Sequence, residues 1–313
     1  MKPAKNVLIL GGYGRKGMEI ARQLLEHSPH SIGLAGRDHV KATRSARELD
    51  WKHPGRRVRA VQVNAALKKQ LTRALSGYDL VVVALSSTTS GREIAQAALE
   101  AGVDCVDVSA NERVGSALAA LDRQVQDAGL TFIKRADLVH GVPRLMERYL
   151  DRYFDSVHKI TSDGPSPSRG SRFLAALCPL FRAPRGPESR RGEGLRNKLR
   201  SHNQEHSRTS AAAGSARVTV KGVKGGVSGQ LSLTLEHRDP GLADAIAVLP
   251  VILGVLDGTR RKPGVRPVEQ ALDPDRYLES MWDMGMTVSL EGLSDFTRDV
   301  GQANEMELLE QVA

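Results

Sequence analysis

Short apolar runs alternate with amphipathic stretches through the first 135 residues of the chain. Val7 to Leu10 reads as a buried strand, Arg15 to Glu26 as a helix with one apolar face, and Ser31 to Ala35 as a second apolar strand. Val40 to Leu49 is expected to be helical, Val58 to Val63 alternates as a third strand ending at Asn64, and Leu67 to Leu75 makes a further helix. Asp79 to Leu85, D-L-V-V-V-A-L, is a continuous apolar run of the kind that a parallel strand covered on both faces carries. Helix Arg92 to Ala101 stops at Gly102, and Val103 to Ser109 alternates as a fifth strand. Asn111 to Ala128 is expected as one helix closed by Gly129, followed by Leu130 to Ile133 as a sixth strand. The order βαβαβαβαβαβ predicts an α/β fold with a doubly wound parallel sheet, a Rossmann domain spanning 1–140.

The pattern changes after Lys134. Pro143 starts a helix with apolar residues at Leu145, Met146, Tyr149, Leu150 and Tyr153, so those tyrosines read as core groups, not catalytic ones. Val157 to Ile160 is expected as a strand leaving the first domain. Ala216 to Val220 and Gly229 to Glu236 alternate as two strands joined through glycines, a hairpin in an antiparallel sheet. Asp239-Pro240 caps a helix whose apolar part, Ala245 to Leu256, is interrupted by Pro250. Asp273-Pro274 opens another with Tyr277, Leu278, Met281 and Trp282 on one face, and Met286 to Leu290 follows as a strand. These elements predict a second, α+β domain with an antiparallel sheet over 141–293, and a loosely held tail over 294–313.

Composition narrows the setting. The 313 residues, 40% of them hydrophobic, suffice for two ordinary domains. Cys105 and Cys178 stand too far apart in sequence and context to read as a disulfide framework or a metal site, which fits a reducing compartment; no metal is expected. Four apolar residues before the glycine turn are too few for a signal-peptide core, and no run reaches the length of a membrane span, so a cytoplasmic location is the expectation. The net charge of +9 is concentrated: Phe181 to Arg208 holds seven arginines and one lysine against three glutamates. That stretch lies in a Ser-, Pro-, Gly- and Arg-rich excursion from Gly164 to Ser215, read as flexible. Few aromatics accompany it, so nucleic-acid binding through base stacking has little support, whereas peripheral contact with an acidic partner or membrane surface stays open.

The candidate chemistry sits at the carboxyl ends of the strands. In L-G-G-Y-G-R-K-G, Gly12 is expected to allow the tight turn, Gly14 to let the backbone approach a pyrophosphate, and Gly17 to let the helix pack on the strand. The helix N-terminus then offers free N–H groups and the positive end of its dipole to phosphates. The second strand ends in Gly36-Arg37-Asp38, and a small residue followed by an arginine suits the 2′-phosphate of NADP(H) better than the ribose diol of NAD(H). Arg37 also reads as a solvated loop charge. Asn64 could face an adenine or simply close a turn, and Ser86 to Ser90 could contact ribose or cap a helix; both readings of each stay open.

Three stretches together resemble the saccharopine dehydrogenase-like oxidoreductases. They are V-L-I-L-G-G-Y-G-R-K-G with L-A-G-R-D, then A-L-E-A-G-V-D-C-V-D-V-S with A-G-L-T-F-I downstream, and the run from Asp257 to Met286 with its P-G-V-R-P-V-E and D-P-D-R-Y-L. The resemblance covers about Asn6 to Leu145 and Ala216 to Leu290. It implies pyridine-nucleotide oxidoreduction, often at a carbon–nitrogen bond, a substrate and dimerisation domain forming a homodimer, and cofactor contacts at Gly12, Tyr13, Gly14, Arg15, Gly17, Arg37, Asn64, Ala84 and Ser86. The loop K-R-A-D-L-V-H-G-V-P-R stands where the family has small and apolar residues before its G-x-P, so the resemblance implies no particular substrate.

Hydride transfer needs a proton donor or acceptor near the reacting atom. No tyrosine is followed four residues later by lysine, which excludes the short-chain dehydrogenase device, and neither cysteine is placed for thiol chemistry. Asp107, Ser109, Lys134, Asp137 and His140 are the polar groups expected near the crevice, with Lys134, His140 and Asp107 the candidates for proton transfer against a structural or surface role for each. The expectation is an NADP(H)-dependent oxidoreductase acting on an imine, secondary amine or carbonyl of a small molecule. The alternative is a non-catalytic NADP(H)-binding sensor or scaffold that uses the basic segment to hold a partner.

Overall fold

The computed structural model describes residues 3–85, 90–109, 111–163, 214–259, 262–293 and 296–300, which fall into two compact units. The first comprises Met1–Val142 and Asp239–Asp273, the second Pro143–Arg238 and Pro274–Ala313. The basic excursion and the loop of Ser86 therefore lie almost wholly outside the described residues.

The first unit is a seven-stranded parallel sheet. Its strands are β1 (Asn6–Leu10), β2 (Ser31–Gly36), β3 (Val58–Gln62), β4 (Leu80–Val83), β5 (Asp104–Asp107), β6 (Thr131–Lys134) and β10 (Gly264–Pro267), in the order β10-β6-β5-β4-β1-β2-β3. Val7 to Leu10, Leu80 to Val83 and Cys105 to Val106 are all buried, as continuous apolar strands must be when helices cover both faces of a sheet. The chain winds one way from β1 to β3 and the other way from β4 onward, so the order reverses between β1 and β4. Leu10 pairs with Ala35 on one side and Val83 on the other, placing the carboxyl ends of β2, β1 and β4 side by side at the switch point where such sheets bind ligands.

The helices are α1 (Arg15–His27), α2 (His39–Lys52), α3 (Lys68–Leu75), α4 (Gly91–Ala101), α5 (Glu112–Ala119) and α6 (Asp122–Asp127). The expected single helix from Asn111 to Ala128 is thus two. Asn111 caps the first through a bond from Arg113 N (2.9 Å). Asp122 opens the second, and its Oδ1 accepts the N–H of Val265 at 2.7 Å. That bond fixes β10, a strand absent from the sequence reading because four residues, one of them Pro267, carry little periodicity.

The domain boundary also differs from expectation. The helix α8 (Pro240–Leu256), expected in the second domain, belongs with the sheet and packs against α1. Asp239 caps it by accepting from Gly241 N (2.8 Å) and Leu242 N (3.2 Å), with Pro240 at the position where a missing N–H costs nothing. It continues through Pro250 where an interruption was expected. An internal proline costs about 3 kcal/mol, whereas each buried Ile, Val or Leu contributes about 1.5–3 kcal/mol. Ile246, Val248, Leu249, Val251, Ile252, Val255 and Leu256 are all buried, so burial outweighs the break. A helix apolar on every side is a core helix.

In the second unit, α7 (Gly141–Asp151, entering from the first), β7 (Ser156–Asp163), β8 (Ser215–Lys224), β9 (Val227–Glu236), α10 (Pro274–Asp283) and β11 (Thr287–Glu291) form a four-stranded antiparallel sheet, order β11-β9-β8-β7, with its helices. A short helix α9 (Val268–Ala271) lies before α10 in the first unit. Gly225 and Gly226, at φ 54° and 75°, make the two-residue hairpin turn. The register sets Val220 opposite Leu231, Val218 opposite Leu233 and Ala216 opposite Leu235, all buried on one face. Of the two tyrosines expected in the core, Tyr149 is fully buried and Tyr153 partly so; Tyr277 is buried as well, and burial pushes the Tyr149 and Tyr277 phenols well above their ordinary range. Within the stretch read as a loose tail, 294–313, Phe296 is buried, lies against Phe154 at 5.0 Å between ring centres, and covers Gly229.

Candidate cofactor and active site

The glycine loop leaves β1 at Leu10 and enters α1 at Arg15. Gly11, not Gly12, makes the tight turn: its φ is +80°, and its N–H and that of Gly12 both donate to Ala35 O, at 2.9 and 3.1 Å. Gly12 is needed for contact, since a Cβ there would stand 2.8 Å from Leu34 Cα and 2.9 Å from Ile9 O. Gly17 is needed more, because its Cβ would fall 2.3 Å from Gly11 O. Gly14 is different. A Cβ on it would meet only Gly11 O, at 3.1 Å, and the residue is exposed at the open mouth of the loop. It caps α1 with no side-chain hydrogen bond, and the first turn of α1 carries no acidic residue. The leading N–H groups of the helix are therefore free to receive an anion.

Ala84 follows β4 and backs this loop, its carbonyl oxygen 3.0 Å from where a Gly11 Cβ would be. Tyr13 crosses from the loop to the end of β2, where its ring covers Gly36 and its hydroxyl accepts the Asp38 N–H at 3.1 Å. Asp38 is the cap of α2. Its Oδ1 accepts Lys41 N at 3.0 Å and its Oδ2 lies 3.5 Å from Lys41 Nζ, the backbone bond chiefly holding the carboxyl below its ordinary range. The carboxylate that could have bound a ribose diol is thus occupied, while Arg37 and Arg15 are exposed. Gly12, Tyr13, Gly14, Arg15 and Gly17 lie in the loop after β1 and the first turn of α1, and Arg37 and Ala84 follow the ends of the two flanking strands, β2 and β4. Asn64 stands one strand further on, where its Oδ1 accepts Ala66 N (3.1 Å) and its backbone N–H donates to Gln70 Oε1 (3.0 Å), the turn arrangement that was one of its two readings. Ser86 lies outside the described residues.

The three candidates for proton transfer do not form one group. Asp107, at the end of β5, is fully buried; Oδ1 accepts from Ser109 N (2.9 Å) and Ser109 Oγ (2.6 Å), and Oδ2 has no partner. Burial pushes its carboxyl up to about 6, the Ser109 bonds opposing and the nearby Asp137 charge adding to the rise. His140 belongs to the same cluster through Asp137, whose Oδ1 accepts from His140 Nδ1 at 2.9 Å. Lys134 bonds to none of these. With Arg135, Glu112, Gly115, Ser116 and Ala119 it lines a separate recess of about 240 Å³. Arg135 carries a left-handed φ of 58°, and its carbonyl occupies the place a Gly141 Cβ would need, 1.7 Å away.

Lys16 was not singled out in the sequence. Its Nζ donates to Val108 O (3.2 Å) and pairs with Asp244 of α8 (3.3 Å), tying the cofactor helix to the end of β5. Nothing in the local sequence announces a contact 92 residues away. Cys105 is buried mid-strand and burial raises its thiol well above the ordinary value, so it is inert as a nucleophile; Cys178 lies outside the described residues. Among the described residues no group of three His, Cys, Asp or Glu could hold a metal, and no helix is long and apolar enough to cross a membrane.

The cradle fits a dinucleotide diphosphate, and the end of β2 fits a 2′-phosphate. That defines an NADP-binding Rossmann domain, and residues 7–133 match the family described as the saccharopine dehydrogenase NADP binding domain. That similarity covers the sheet from β1 to β6 and makes NADP(H) the cofactor of this domain. Over 92% of its length it superposes on 99% of the apo saccharopine dehydrogenase (L-Glu forming) of Saccharomyces cerevisiae, with a TM-score of 0.62 at 12% identity, which shows the shared fold. Pen from Bacillus thuringiensis matches over 47% of this chain and 56% of its own, at 19% identity and TM-score 0.34. A short-chain dehydrogenase/reductase from Veillonella parvula, in complex with NADP, matches over 34% and 48%, at 24% identity and TM-score 0.29.

Proposed function

We propose that the protein is an NADP(H)-dependent oxidoreductase that moves hydride at a carbon–nitrogen or carbonyl centre of a small molecule. The observation that carries this reading is the meeting, on one edge of one sheet, of an uncapped helix N-terminus behind glycines with a buried carboxyl–imidazole cluster at the ends of β5 and β6. Bound NADP(H) supplies the hydride donor or acceptor. The N–H groups at the start of α1 bind the diphosphate, and Arg37 selects the 2′-phosphate. His140, half-exposed, gives a proton to the nitrogen or oxygen as its carbon is reduced, and takes it back in the reverse direction. Lys134, in its separate recess, is the second candidate donor.

Two measurements test this. Titration calorimetry of the full chain is expected to show NADPH binding more tightly than NADH; no heat with either on folded protein removes the cofactor site. NADPH oxidation is then followed with a panel of imines and of keto acids mixed with amines. Turnover of any member supports the enzyme, whereas tight NADPH binding with no turnover across the panel leaves a nucleotide-binding protein of another kind.

A further inference from the structure

Asp137 has an unusual division of labour between its two oxygens. Oδ1 accepts three N–H groups, from Val139 N, His140 N and His140 Nδ1, each at 2.9 Å. Oδ2 accepts none, although the residue is fully buried. The same holds for Asp107, whose Oδ1 takes both Ser109 donors and whose buried Oδ2 takes none. The two residues are tied together by the bond from Ala136 N to Asp107 O at 2.8 Å. Buried polar atoms find partners in native proteins. An ionised carboxylate can only accept, so the ring nitrogen facing Asp137 must carry hydrogen. His140 Nε2, on a side chain 30% exposed, has no partner among the described residues.

We propose that Asp137 is a positioning residue: it holds His140 as the Nδ1-protonated tautomer, leaving the Nε2 lone pair for the substrate. The tautomer stands on geometry alone, and its use in catalysis rests on the oxidoreductase reading. In the oxidising direction Nε2 takes the proton from the substrate's nitrogen or oxygen as the C–H electron pair leaves as hydride for NADP⁺. The imidazolium so formed faces the Asp137 carboxylate, and the reverse reaction returns the same proton.

The test is long-range ¹H–¹⁵N correlation on the full chain with labelled histidine, the His140 signals assigned by His140→Gln. In the wild type Nδ1 is expected to carry the proton and Nε2 to be bare. Asp137→Asn, which keeps an acceptor oxygen, is expected to preserve that pattern, and Asp137→Ala to switch it to the Nε2-protonated form. An Nε2-protonated wild type, or an Asp137→Ala variant with the pattern unchanged, overturns the assignment; if Asp137→Ala does not fold, the wild-type spectrum decides alone. Adding NADP⁺ is expected to shift the Nε2 signal, a response that a purely structural turn residue would not give. Calorimetric binding of NADP⁺ without that shift overturns the catalytic placement, whereas failure to bind NADP⁺ counts against the proposed function and leaves the tautomer standing.

Discussion

The ring of Tyr13 lies on Gly36, so close that a Cβ there would come within 2.3 Å of Cε1 and 2.7 Å of the hydroxyl oxygen. The pair joins the first loop of the cofactor site to the end of β2, and the hydroxyl's bond from Asp38 N locks the ring in place. Gly36→Ala is therefore expected to push the ring away while leaving the strand intact. Overpacking of this kind costs about 1–3 kcal/mol. NADPH affinity is expected to fall about tenfold, roughly 1.4 kcal/mol. Because the clash is with a side chain, combining Gly36→Ala with Tyr13→Ala should recover most of the lost stability. Chemical denaturation of the single and double variants checks it; simple additivity of the two losses would refute the contact.

Gly14 and Gly17 separate binding from folding. Gly17→Ala sets a methyl against backbone, 2.3 Å from Gly11 O and 2.8 Å from Gly12 Cα, so the loop itself must shift and a loss at or above about 3 kcal/mol is expected. Gly14→Ala meets one atom at 3.1 Å from a backbone at φ −75°, which alanine adopts freely. Its stability is expected to stay within about 1 kcal/mol of wild type, while NADPH affinity drops by about two orders of magnitude as the methyl enters the diphosphate's place. Denaturation midpoints and calorimetry on the same preparations check both. A Gly14→Ala protein that binds NADPH normally would remove the diphosphate from this loop.

How much of this the sequence could show depends on how local each cause was. Parallel strands buried on both faces advertise themselves through runs such as Leu80 to Val83, and the hairpin through alternation around Gly225-Gly226. The parallel strand Gly264–Pro267 did not, because its partner Thr131–Lys134 is more than a hundred residues away and its own four residues have no period. For the same reason α8 was placed in the wrong domain: its apolar surface says that it is buried, not what buries it. Within the candidate site, glycine spacing pointed to the loop between β1 and α1 but misassigned the turn, since G-G does not tell which glycine takes the positive φ. Asp137 was visible only as one more polar residue in a loop. What distinguishes it, three donors on one oxygen and none on the other, exists only once the chain has folded.

The proposed function gives Arg37 the cofactor preference and leaves it no structural duty. Its side chain is exposed and has no ion-pair partner among the described residues, so Arg37→Ala is expected to change stability by less than about 0.5 kcal/mol. Loss of a charge-assisted contact to the 2′-phosphate should weaken NADPH binding by about 10- to 100-fold and leave NADH binding unchanged. Parallel titrations with the two nucleotides give the ratio directly. Equal losses for both would mean that Arg37 touches the part of the cofactor they share.

Asp107 should write its environment into the pH dependence of stability. In the unfolded chain its carboxyl titrates near 3.8, and in the folded protein burial raises it to about 6. Between those values the folded state holds a proton that the unfolded state has released, so this group's contribution declines as pH rises through the interval and is constant above it. Two units correspond to roughly 3 kcal/mol. Asp107→Asn is neutral at every pH and keeps an oxygen for the Ser109 donors, so it lacks the slope. The stability of wild type relative to Asp107→Asn is therefore expected to be highest near pH 4 and to fall by about 3 kcal/mol by about pH 7, measured by denaturant unfolding at both. Other titrating groups cancel in the difference. A flat difference would show that Asp107 ionises as readily folded as unfolded, and a rise with pH would show that the folded protein stabilises its carboxylate through partners on Oδ2.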